Sequence, residues 1–151
     1  TMNTNWDSRF LLLAHVVASW SKDPSRKVGA VAVKDRRVLS TGYNGFPCGV
    51  ADTEERLNNR EQKYKFIVHG ELNCILNAAR EGVSLEGATL YVARLPICGD
   101  CAKAVAQSGI KRVVMERRSF DDLDQKWVDS YQTTSKVIFE ECGIEITVLS
   151  D

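Results

Sequence analysis

Two short motifs leave this chain little freedom. His69 and Glu71 stand one residue apart in VHGELN, and Cys98 and Cys101 stand three positions apart in PICGDCAK. Each motif opens a stretch of helical periodicity. One imidazole and two thiolates suit a zinc ion, and three protein ligands leave a fourth position for water, as a catalytic site requires. The free amides and positive dipole ends of two helix starts favour the thiolate forms. Glu71 can reach a zinc-bound water without joining the ligands, take its proton, pass it to a ring nitrogen and then protonate a departing amine. The competing reading, a closed structural zinc site, needs a fourth ligand; Cys48, Cys74 and Cys142 are available, but none forms a second C-x-x-C.

The rest of the pattern supplies a frame for these motifs. A first helix, capped by Asn5 or Asp7, is expected to run to about Ser21 with Phe10, Leu13, Ala14 and Val17 on one face. VGAVAV and RVLSTGY read as a hairpin around KDRR, and NGFPCGVAD as a loop. Residues 52–66 are strongly charged and at most partly helical. A helix from His69 to Arg80 stops at Gly82, ATLYVAR is a strand, CAKAVAQSG is a helix ended by Gly109, and KRVVME is a strand. A helix from about Asp121 to Glu141 and a strand EITVL complete the series. Strand and helix alternate in the second half, which predicts a layered α/β domain with its sheet between helices.

Twenty basic and twenty acidic residues balance in 151. A nucleic-acid polymer usually demands a basic surplus, so none is expected as a partner. No segment is apolar enough to span a membrane. Five cysteines, two of them in C-x-x-C, with no export signal, suggest metal chemistry in the cytoplasm rather than a disulfide framework. His15 reads as a hydrogen-bonded core residue, and Cys74 and Cys142 as small buried apolar ones. Trp6, Trp20 and Trp127 are too scattered for a base-stacking platform.

H-x-E with C-x-x-C is the signature of the zinc deaminases. SKDPSRKVGAVAV, STGYNGFP, HGELNCILNAAR and CAKAVAQSGIKRVV, in that order, resemble segments of the deoxycytidylate (dCMP) deaminase family across nearly the whole chain. The resemblance implies a single deaminase domain over residues 1–151, with a cytidine-deaminase-like αβα sandwich around a five-stranded mixed sheet. It implies zinc, one per chain, on His69, Cys98 and Cys101, Glu71 as proton shuttle, and hydrolysis of dCMP to dUMP and ammonia. Asn44 resembles the asparagine that hydrogen-bonds the sugar hydroxyl. Lys22, Ser25 and Arg26 are candidates for the 5′-phosphate, with Arg80 and Tyr131 as further substrate contacts. The family also implies activation by dCTP and inhibition by dTTP, with Mg2+ on the triphosphate, in a homo-oligomer that is commonly a hexamer. Gly45, Phe46, Asp52, Arg56 and Arg60 are the effector candidates.

This chain departs from the family pattern at Gly70, where a small side chain is usual, and at Ile97, which separates Pro96 from Cys98. Competing functions are deamination of a free nucleoside, of guanine or of a nucleic-acid base, and a zinc-stabilised nucleotide sensor without turnover.

Overall fold

Gly29–Lys34, buried over five of its six residues, forms β1, and Arg37–Tyr43 pairs with it as the antiparallel edge strand β2. Asp35 and Arg36 make the turn, both with positive φ (52° and 62°), the geometry whose twist matches that of a hairpin. The computed structural model describes residues 5–150. Three further strands, β3 (Thr89–Ala93), β4 (Arg112–Glu116) and β5 (Glu145–Leu149), complete a sheet of order β2-β1-β3-β4-β5. β1 is antiparallel to β2 and β3, while β3, β4 and β5 run parallel, so the sheet is mixed.

Helices cover both faces. On one, α1 (Asn5–Ala18) sets Phe10, Leu11, Ala14 and Val17 against Val31, Tyr91 and Val114. On the other, α4 (Gly70–Glu81), α5 (Gly99–Gln107) and α7 (Lys136–Glu141) bury Cys74, Ala78, Val105 and Phe139 over Ala32, Leu90, Val92 and Met115. The result is the three-layer αβα sandwich that the pattern and the resemblance predict. Gly29 has a steric purpose: a Cβ there would run into the Ala14 carbonyl and the Ala18 amide of α1.

Topology places the two motifs together. α5 follows β3 and returns the chain to the start of the parallel strand β4, so it begins at the edge where β3 ends. α4 leads into β3 and begins at that same edge, the usual place for a ligand crevice in an open sheet.

Several expectations need correction. α1 stops at Ala18 rather than near Ser21, and Asp7 does not cap it. The Asp7 carboxylate instead accepts two hydrogen bonds from the Arg112 guanidinium, at 2.9 and 2.7 Å, and one from the Tyr91 hydroxyl. Residues 52–66 contain two short helices, α2 (Glu54–Asn58) and α3 (Arg60–Phe66), capped by the side chains of Thr53 and Asn59. The helix expected from Asp121 begins only at Gln125. Arg117–Phe120 is a 3-10 turn, Asp122 has φ 51°, and the Asp124 side chain caps the new start, so the chain must turn before it can coil. From there α6 (Gln125–Ser130) passes through a π-helical turn, Tyr131–Ser135, into α7. Cys142 is exposed, not buried, because it follows the last residue of α7.

Candidate active site

His69 is the residue at which α4 begins and Cys98 the one at which α5 begins; neither side chain caps its helix, which leaves both free to face one another. The His69 Nδ1 lies 3.3 Å from Cys98 Sγ and 3.4 Å from Cys101 Sγ. Among the described residues these three form the one cluster of metal-ligating side chains found, with all ligand atoms within 4.8 Å. Glu71, 3% exposed, points into the same space from the first turn of α4.

The electrostatics of the cluster call for a cation. Hydrogen bonding from Cys101, and after it from His69, pulls the Cys98 thiol down to about 4. The Cys101 thiol is pushed far up, by the Cys98 sulfur beside it and then by burial, because a second adjacent negative charge is unfavourable. The hydrogen bond to Cys98 lifts His69 to about 9, and burial lifts Glu71 to about 7. A divalent ion on the three donors removes the conflict between the sulfurs, and the imidazole-dithiolate set is one that zinc accepts. Glu71 borders the same cavity without belonging to the three donors.

Both departures from the family pattern are absorbed locally. A Cβ on Gly70 would sit 3.2 Å from the Val28 carbonyl oxygen and 3.3 Å from its Cγ1, so this turn of α4 is pressed against the strand layer. Ile97 is fully buried, and its carbonyl accepts a 2.6 Å hydrogen bond from Ser135 in the π-helical turn. Ser130 Oγ accepts from the Gly99 amide. The additional residue before Cys98 is thus held by the additional residue per turn of the facing helix.

A cavity of about 250 Å³ opens over the cluster. Ser25, Arg26 and Asn44 line it, together with His69, Glu71 and Cys98. The Asn44 carboxamide is largely committed: its Oδ1 accepts from the Val28 amide, and its Nδ2 donates to the Arg26 carbonyl and to Asp23. What remains is one acceptor lone pair, so Asn44 can accept a hydrogen bond from a ligand but not donate one.

Three other substrate candidates lie elsewhere. Lys22 is exposed and pairs with Asp52 at 2.9 Å. Arg80 is exposed in the last turn of α4, nine residues and about 14 Å along the helix from Glu71. Tyr131 is buried under Phe120, with ring centroids 5.0 Å apart, and does not line the cavity.

The effector candidates divide. Gly45 bridges to Val68, Phe46 packs on Phe66, and the Arg56 guanidinium lies 5.0 Å from the Phe66 ring centre. Asp52 joins Lys22. Arg60 instead lines the cavity, where its Nε donates to the Tyr64 hydroxyl.

Asp23, Lys63, Tyr64 and Trp127 are among the cavity residues that were not legible in the sequence. Trp127 stands edge-on to His69 with centroids 6.1 Å apart. It comes from α6, nearly sixty residues after His69, and no local signal marks it. Lys63 sits in a segment whose charges look like a solvated face.

Comparison with known proteins bears on this arrangement. The family model for the cytidine and deoxycytidylate deaminase zinc-binding region matches residues 4–117. A protein of Aliivibrio fischeri, called an uncharacterized deaminase in the luxG 3′ region, is 40% identical over 148 residues, spanning 98% of this chain and 96% of its own. Human deoxycytidylate deaminase is 33% identical over 147 residues, 92% of this chain and 76% of its own. The crystal structure of dCMP deaminase from the cyanophage S-TIM5, in complex with dCMP and dUMP, matches with a TM-score of 0.75 at 25% identity, covering 99% of this chain and all of its own.

Proposed function

The chain belongs to the cytidine and deoxycytidylate deaminase family of zinc-binding proteins, and from that premise we propose that it hydrolyses dCMP to dUMP and ammonia. The observation that carries this reading is the buried Glu71 carboxyl beside the His69–Cys98–Cys101 cluster, under a cavity whose wall holds Ser25 and Arg26. Zinc held by those three residues supplies Lewis acidity toward a water molecule. Glu71 accepts the proton of the attacking water and delivers it to the ring nitrogen next to the amino-bearing carbon. The C–O bond forms at that carbon; Glu71, ionised again, takes the second proton from the new hydroxyl and hands it to the amine, so the C–N bond breaks, the carbonyl forms and ammonia leaves. Burial favours the neutral carboxyl that the middle of this sequence needs. Trp127 forms an apolar wall beside His69, suited to a pyrimidine face.

The Arg26 and Arg60 guanidiniums and the Ser25 hydroxyl are the donors for a 5′-phosphate. The Ser25 and Arg26 amides are already used by Asp23. The remaining lone pair of Asn44 suits a donating sugar hydroxyl. Ammonia release from dCMP, CMP, deoxycytidine and cytosine-containing single-stranded DNA, with zinc content measured in parallel, tests the reading. Strong turnover of dCMP alone is expected; bound zinc with no turnover favours a sensor.

Regulation by dCTP and dTTP belongs to the same proposal, at the patch of Gly45, Phe46 and Arg56. The Gly45–Val68 bridge gives that patch a short route to Asn44 and His69. Asp52 is the candidate for Mg2+, in competition with Lys22. A homo-oligomer, with a hexamer as the family form, is supported by Leu12, Val16 and Trp20, exposed at helical spacing along one side of α1 and its end. Flat kinetics with both triphosphates remove the regulatory part, and a monomer by light scattering removes the oligomer.

A further inference from the structure

Asp23 is 6% exposed and Lys63 4%, yet both are charged and both lie in the cavity wall. The Asp23 Oδ1 accepts from Lys63 Nζ at 3.0 Å, from the Ser25 amide at 2.8 Å and from the Arg26 amide at 3.3 Å. Its Oδ2 accepts from Asn44 Nδ2 at 3.3 Å. Ser21 tightens the same knot, its hydroxyl donating to the Asn44 carbonyl and accepting from the Asp23 amide. One carboxylate therefore gathers the loop between α1 and β1, the end of β2, and α3.

We propose that the Asp23–Lys63 pair is a positioning device that sets selectivity for a phosphorylated substrate by presenting Ser25 and Arg26 to the cavity; this rests on the phosphate reading above. The loop carrying those residues has no strand ladder to hold it, and an Asp accepting from the amides two and three residues on closes it into a turn. A buried carboxylate alone would repel a phosphate, and Lys63 cancels that charge. The guanidiniums of Arg26 and Arg60 meet neutral partners, the Arg94 carbonyl and the Tyr64 hydroxyl, and so keep their charge for a ligand. Asp122 and Asp124 also line the cavity and disfavour an anion beside them, which directs it to the loop. A buried ion pair adds little net stability over an apolar pair, so what this one supplies is geometry.

The proposal makes a prediction opposite in sign to simple electrostatics. Removing a negative charge from an anion pocket should tighten anion binding. Positioning requires that Asp23→Asn weaken it. KM for dCMP is expected to rise about tenfold, the scale of one charge-assisted hydrogen bond, with kcat changed far less. The preference for dCMP over deoxycytidine should fall by the same factor while zinc content holds. Lys63→Met should act in the same direction and Lys63→Arg should recover part of the loss. An unchanged or lowered KM in Asp23→Asn overturns the proposal. Should that variant fail to fold, equal KM in Lys63→Met and the unaltered enzyme overturns it instead. An unaltered enzyme that turns over deoxycytidine as well as dCMP removes the phosphate reading itself, before any variant is made.

Discussion

In the proposed reaction Glu71 has the most specific task of any residue, and its surroundings suit a single carboxyl to it. It is buried, stands two residues from His69 at the start of the same helix, and faces the cavity rather than solvent. Glu71→Gln should keep zinc at one per chain, by metal analysis, and lower kcat by a factor of about 10²–10⁴, the range for a positioned acid–base group. Undiminished turnover excludes the shuttle. Glu116 offers a separate test at a single residue. Burial raises its carboxyl, but hydrogen bonds from His15 and the Arg94 amide, and the charge of Arg118, outweigh that and hold it below its ordinary value of 4.5. A lowered folded-state value means stabilisation that is complete above about pH 4.5 and lost as pH falls further. The melting temperature of the unaltered protein should exceed that of Glu116→Gln near neutral pH, and the gap should close on acidification. A gap that widens toward acid contradicts the ion-pair account.

At the level of elements, one ion pair ties α1 to the sheet beside its apolar face, and one missing side chain lets α4 lie close on it. Asp7, 2% exposed, neutralises Arg112 with two parallel hydrogen bonds and joins α1 to β4. Asp7→Asn leaves the partly buried guanidinium with only the Glu145 carboxylate, 3.9 Å away, and should cost about 3 kcal/mol in denaturant unfolding. A loss below the error of the measurement shows that the pair is replaceable by water. Gly42 in β2 lies under α4, where a Cβ would meet the Cys74 amide and the Gly70 carbonyl. Gly42→Ala should displace the first turn of α4, and with it His69 and Glu71. Zinc content and turnover should therefore fall together, whereas Gly87→Ala, far from the cavity, should affect neither.

Across the whole molecule, the five cysteines divide by position. Cys48 and Cys142 are exposed, Cys98 and Cys101 face His69, and Cys74 is buried, with its thiol pushed up to about 12 by desolvation. Alkylation of the zinc-loaded protein at neutral pH should mark Cys48 and Cys142 only. Chelation should add Cys98 and Cys101 and lower the melting temperature, since metal binding contributes to folding free energy. Cys74 should react only after unfolding; labelling of Cys74 in the native state contradicts the packing of α4 on β1. The sequence by itself determined the five strands, the helices that follow His69 and Cys98, the layered α/β class and the cluster of three donors with a glutamate, because period, turn residues and short-range motifs are local properties. Only the tertiary structure decided which side chains share the cavity. Lys22 and Arg80 look suitable by type, but one pairs with Asp52 and the other sits at the far end of its helix. Lys63 and Trp127 carry no local mark, yet chain crossings bring them to the edge where β3 ends. Helix starts are fixed by neighbours in sequence. The walls of a cavity are fixed by which elements pack side by side, and that is settled by burial of the two apolar faces of the sheet.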